Sequence, residues 1–155
     1  MKRLRTIKVV TGLCAALATS SAWADSSPFV GRWHWNPAQS TMPPGEPAPN
    51  DLTAEFSRAD SSHLTWSVTT VTPQGRAFDT FDVPPDGKFY PISSDTTAAF
   101  RLTDDALQAR FKGPTGQSDA VTCTLSANQK VMTCRGVLNE GSGRTATYVD
   151  VYDRV

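Results

Sequence analysis

Cysteine, histidine, carboxylate and tryptophan are the residue types here equipped for more than packing. The cysteines are Cys14, Cys123 and Cys134. Cys14 falls in an N-terminal segment expected to be removed, which leaves a pair. Two cysteines in an exported chain form a disulfide more readily than a metal or redox site. No Cys-X-X-Cys spacing is present. His34 and His63 fall on expected polar strand faces with no Asp, Glu or Cys at ligand spacing, which reads as surface chemistry rather than a metal site or a general base. Asp104 and Asp105 sit in a turn, where aspartate bonds its own backbone. Asp150 and Asp153 could form a second pair of carboxylates. The sequence contains no Gly-X-Ser-X-Gly elbow, phosphate loop or His-Glu-X-X-His helix. No catalytic residue, metal ligand or cofactor is expected, and enzyme activity has no support. Trp33, Trp35 and Trp66, with Phe56 and Phe100, are expected to face inward. There they line a cavity for a small apolar ligand or simply fill a core.

The elements that must position these residues are strands. Period-two alternation between turn residues dominates the chain. Residues 29–36 set Gly31, Trp33 and Trp35 against Arg32 and His34. Residues 51–58 set Leu52, Ala54 and Phe56 against Asp51, Thr53 and Glu55, and 63–72 set Leu64, Trp66 and Val68 against Thr65, Ser67 and Thr69. Residues 76–83 have mixed faces, because Phe78 and Phe81 differ in parity. Pro91 confines 89–92 to a short edge strand or bulge. Residues 97–102 and 106–112 send Ala98, Phe100, Leu102 and Leu107, Ala109, Phe111 inward. Residues 144–154 are rich in Thr, Val and Tyr. The segment 37–50 carries Pro37, Pro43, Pro44, Pro47 and Pro49 and ends at Asn50, so it forms neither helix nor central strand.

Between them, 121–125 and 131–135 form a hairpin around Ala127-Asn128-Gln129-Lys130. Setting Cys123 opposite Cys134 places Leu125 opposite Met132 and Val121 opposite Gly136. The other face then pairs Thr124 with Thr133 and Thr122 with Arg135. A single register thus yields one apolar face and one polar face, as a half-buried sheet requires. In all, nine or ten strands joined by short turns predict an all-β antiparallel meander. It closes, or nearly closes, into a barrel, with a two-sheet sandwich as the alternative.

Residues 1–24 read as a secretory signal. Lys2, Arg3, Arg5 and Lys8 precede an apolar run over 9–18, and Ala22-Trp23-Ala24 offers a cleavage site. The run is half the length of a bilayer-spanning helix. Its removal takes four of the 15 bases and none of the 15 acids, leaving residues 25–155 as one domain with a charge of about −4. A net negative chain is poorly suited to nucleic acid. The processed protein is expected in the periplasm or secreted, and not membrane-spanning.

Gly31-Arg32-Trp33 matches the glycine–any–tryptophan element that opens the first strand of lipocalins and other calycins. The first strand and proline loop also resemble small, largely uncharacterised secreted bacterial proteins whose first strand runs Gly-x-Trp-x-x-Asn-Pro-x-x-Ser. In those proteins an Asp-Gly-Lys-x-Tyr-Pro turn follows, like Asp86–Pro91 here, and a penultimate hairpin reads Ser-x-Asp-Gly-Lys-x-Met-Thr. Residues 126–133 depart from that hairpin with Asn128-Gln129 at the turn. The resemblance spans most of 29–155 and implies a lipocalin-like β-barrel. In lipocalins the opening tryptophan packs beneath a basic side chain near the last strand. Arg135 and Arg154 are the candidates here, and the motifs assign neither.

Two functions follow as expectations. The first is an exported barrel that binds a small, largely apolar ligand. The second is a filled-core envelope module that contacts another protein through the 37–50 loop. An eight-stranded barrel is wide enough either to be filled by side chains or to hold one small ligand. The number of bulky inward candidates favours a mostly filled interior.

Overall fold

The computed structural model describes residues 27–155; the signal-like segment lies outside them. Ten strands follow in order: β1 Gly31–Trp35, β2 Asp51–Ala59, β3 Leu64–Thr72, β4 Gly75–Val83, β5 Tyr90–Pro91, β6 Thr97–Leu102, β7 Ala106–Lys112, β8 Ser118–Leu125, β9 Val131–Asn139 and β10 Thr145–Arg154. All pairings are antiparallel, in the order β4-β3-β2-β1-β10-β9-β8-β7-β6-β5. The first and last strands pair, Trp33 with Arg154 and Trp35 with Tyr152. Among the described residues no ladder joins β4 to β5. The meander therefore rolls into a barrel closed everywhere except along one seam. Ten strands enclose a wider interior than eight, because diameter grows with strand number.

The Cys123–Cys134 hairpin has the expected register across all five pairs, and the two cysteines form a disulfide. Residues 36–50 form a loop, as their prolines require. It is tied to the edge of β10 that β1 leaves free: Thr41 N–H donates to Val149 C=O at 2.7 Å, and Val149 N–H returns a bond to Thr41 at 3.0 Å. The Ser40 hydroxyl also accepts from the Val151 N–H. The uneven parity of 76–83 has a structural reason. The mouth half of β4 borders the seam, so both its faces reach solvent; Phe81 turns inward while Phe78 is 66% exposed.

Burial is graded along the barrel axis. One end, the floor, carries the turns at 60–63, 103–105 and 126–130 together with residues 27–30. The inward residues near it, including Trp33, Phe56, Leu64, Trp66, Phe100, Leu107 and Met132, are buried and form one cluster. The other end, the mouth, carries the 36–50 loop and the turns at 73–74, 113–117 and 140–144. Inward residues there, among them Leu52, Val68, Val121, Leu138, Tyr148, Asp150 and Tyr152, are only half-buried. The interior is thus a cup with a packed base.

Candidate functional site

Three layers of side chains occupy the cup. At the floor, Trp33 is fully buried and donates its indole N–H to Phe29 C=O at 2.9 Å. Arg154, directly opposite on β10, lies 4.1 Å over the Trp33 ring. Its guanidinium donates to the carbonyls of Val30 at 2.8 Å, Pro28 at 2.5 Å and Gln129 at 2.7 Å. Of the two candidate bases, Arg154 is therefore the cover; Arg135 pairs with Thr122 on the outer face. Gly31, at φ 138°, is required here, because a Cβ would strike the Arg154 guanidinium.

The middle layer is a band of aromatic rings. Trp66 stands 6.4 Å from Phe56, 4.7 Å from Phe81 and 4.6 Å from Phe100, and Phe100 stands 5.7 Å from Phe111. Since Trp66 lies on β3 and Phe100 on β6, this band joins the two sides of the seam where backbone pairing is missing. Such offset and edge-on contacts add roughly 0.5–1.5 kcal/mol each beyond area burial. Of the five aromatics expected to face inward, Phe56, Trp66 and Phe100 meet in this band. Trp33 lies below it and Trp35 above, outside the main cluster.

The third layer, at the mouth, is polar. Cross-strand register turns Tyr148, Asp150 and Tyr152 of β10 inward beside Trp35, and turns Asp119 of β8 inward beside Leu138 and Phe111. The Trp35 indole N–H donates to Asp150 Oδ1 at 3.0 Å, and the Tyr148 hydroxyl donates to Asp119 Oδ2 at 2.6 Å. The second oxygen of Asp119 is buried with no partner. Burial pushes the Asp119 carboxyl above the usual carboxylate range. Burial does the same to Asp150, and the nearby Asp119 charge pushes it further. The Tyr148 and Tyr152 hydroxyls are raised as well, chiefly by burial. A cavity of about 240 Å³ opens onto Asp119, Leu138, Tyr148 and Asp150, with Met42, Pro43 and Glu46 of the loop as its outer wall. Gly136, opposite Tyr148, leaves room for that ring, where a Cβ would collide.

The motif reading missed this polar layer. The parity of the cysteine strand, which runs Asp119, Val121, Cys123, was the signal that pointed Asp119 inward. Asp150 gave no such signal, because Val149 and Val151 alternate with it and offer a more apolar face. The structure sends those valines to the outer face, where Val151 is nonetheless buried.

The remaining candidates lie elsewhere. His34 is on the outer face, with its Nε2 2.6 Å from Asp51 Oδ1. His63 closes the β2–β3 turn, and Asp104 and Asp105 occupy the β6–β7 turn. Among the described residues no group of three or more His, Cys, Asp or Glu side chains is placed to hold a metal ion. No described helix is long and apolar enough to cross a membrane.

No family model matches the chain, and no curated protein matches its sequence. Solved structures do match. The chain is similar to the ileal bile acid-binding protein of zebrafish, crystallised with cholic acid, at 16% identity and a TM-score of 0.58. That match covers 83% of this chain and 100% of the other. It is also similar to a fatty acid-binding protein from brain tissue of Drosophila melanogaster, at 12% identity and a TM-score of 0.49, over 81% and 98% of the two chains. The likeness to the zebrafish protein is one of fold: a calycin-type, nearly closed antiparallel barrel.

Proposed function

We propose that this chain binds a small, largely apolar molecule in the cup of its barrel, after export to the periplasm or beyond. The observation that carries the reading is the burial gradient. A packed aromatic base closes one end, while apolar inward residues at the other, such as Val68, Val121 and Leu138, stay in contact with solvent. A site of this kind gains affinity from apolar burial and takes orientation from a few polar groups. Trp35, Trp66 and Phe111 serve as walls, with Trp33, Phe56 and Phe100 supporting them from below. The zebrafish protein of the same fold was crystallised with cholic acid, which supports the ligand class. The basic, apolar start of the sequence supports export.

Titration with N-phenyl-1-naphthylamine, a neutral apolar dye, tests the site directly. Saturable enhancement of dye fluorescence with quenching of tryptophan emission is expected. Its absence, together with a bare mass in native mass spectrometry of freshly purified protein, overturns the reading. The packed lower half supports a second reading, an envelope module whose contact surface is the 37–50 loop. Deleting residues 43–49 would then abolish capture of a partner while leaving thermal stability nearly unchanged.

A further inference from the structure

We infer that the molecule held in the cup carries a positively charged head, an amine or quaternary ammonium, with Asp119 and Asp150 as its counter-ions. The inference rests on the reading of the barrel as a binder of small apolar molecules and adds the polarity of the head.

The charge carried by the inward face is one-sided. Register turns three carboxylates inward, Asp79, Asp119 and Asp150. The one inward base among the described strand residues is Arg154. It lies at the floor, held by three backbone carbonyls and the Trp33 ring. Neither Asp119 nor Asp150 pairs with a cation among the described residues. Each receives one side-chain hydrogen bond from a neutral donor, Tyr148 or Trp35, and Asp119 Oδ1 receives none although it is buried. Two half-buried carboxylates without a cation beside them attract a positive charge brought into the cavity they both line.

The cavity beside them points to the same chemistry. Its volume, about 240 Å³, is below the range of roughly 300–1,000 Å³ typical of sites enclosing a whole drug-sized molecule. It suits a head group whose apolar tail lies against Val68, Val121 and Phe111 below. The loop wall adds another carboxylate, Glu46, and no base. Tyr148 lines the cavity together with the two aspartates, and an aromatic ring attracts cations. A carboxylate head would meet three like charges here, so the cup should reject fatty-acid-like anions while accepting their cationic counterparts.

The experiment compares three ligands sharing one tail: dodecyltrimethylammonium, dodecanol and dodecanoate, each displacing N-phenyl-1-naphthylamine from the full chain at neutral pH and low salt. The cation should bind at least about tenfold tighter than the alcohol, and the carboxylate weaker than either. Asp119→Asn and Asp150→Asn together should bring the cation to within about twofold of the alcohol, and an unchanged far-UV circular dichroism spectrum reports that the variant is folded. Dodecanoate binding as tightly as the cation overturns the inference. So does a cation preference that survives both substitutions. If the dye and all three ligands fail to bind, the barrel-binder reading fails, and the inference with it.

Discussion

Arg154 donates from each of its three guanidinium nitrogens to a different carbonyl, and two of those carbonyls belong to residues 28–30 at the opposite end of the described chain. The same side chain covers Trp33, so one residue near the end of β10 ties down residues 28–30, the β8–β9 turn and the floor of the barrel. Arg154→Met keeps much of the apolar stem and leaves three acceptors without their donor. With charge-assisted bonds contributing roughly 1.5–3 kcal/mol each, but not additively, a loss of about 3 kcal/mol is expected in urea denaturation. Arg154→Lys should recover only part of it, because an ammonium cannot span three acceptors in a planar fork. Equal stability of the Met variant and the wild type would show that the fork is incidental.

At the scale of elements, the β8–β9 hairpin is determined twice over, by its alternation and by its disulfide. Replacing Cys123 and Cys134 with serine removes a short-loop crosslink worth roughly 2–3 kcal/mol. The register should survive, since Leu125 opposite Met132 and Val121 opposite Gly136 still place one apolar face inward. The expected outcome is a lower midpoint in urea with an unchanged far-UV circular dichroism spectrum. A changed spectrum would mean that the covalent bond, not the pattern, sets the pairing. This hairpin was legible because both its strands and their partner faces are local in sequence. So were β2, β3, β6 and β7, whose inward sets follow from alternation alone. The pattern was weak for β4 for a physical reason: a strand beside an open seam has no buried face over half its length, so selection for alternation is relaxed there. The inward Asp150 of β10 was hidden because Val149 and Val151, which flank it in sequence, make the outer face the more apolar one, and Val151 is buried there.

At the scale of the whole molecule, barrel closure creates the candidate site. Trp35 and Asp150 meet across 115 positions because β1 pairs with β10, and no local motif encodes that meeting. The aromatic base was legible as inward bulk, but the carboxylate layer above it was not. Closure also gives those carboxylates a signature in stability. Asp119 and Asp150 bind their protons more tightly in the folded barrel than in the unfolded chain, whose carboxyls titrate near 3.8. Over the interval above that value the native state therefore holds more protons than the unfolded one, and stability falls as pH rises. The contribution is fully present below the unfolded value and is lost as pH rises through the raised native values. Asp60 has the opposite sign and a different window. Its bonds with Arg58 and with the Ser62 and His63 N–H groups lower it to about 2, so its contribution is present above 3.8 and lost as pH falls through about 2. Asp119→Asn with Asp150→Asn should remove the first slope and leave the second. Urea titrations between about pH 4.5 and pH 7.5 should show the wild type losing stability relative to the double variant as pH rises. A difference that stays level across that interval would mean that the two carboxyls are solvated like surface groups, and that the mouth of the cup is not the desolvated acidic chamber described above.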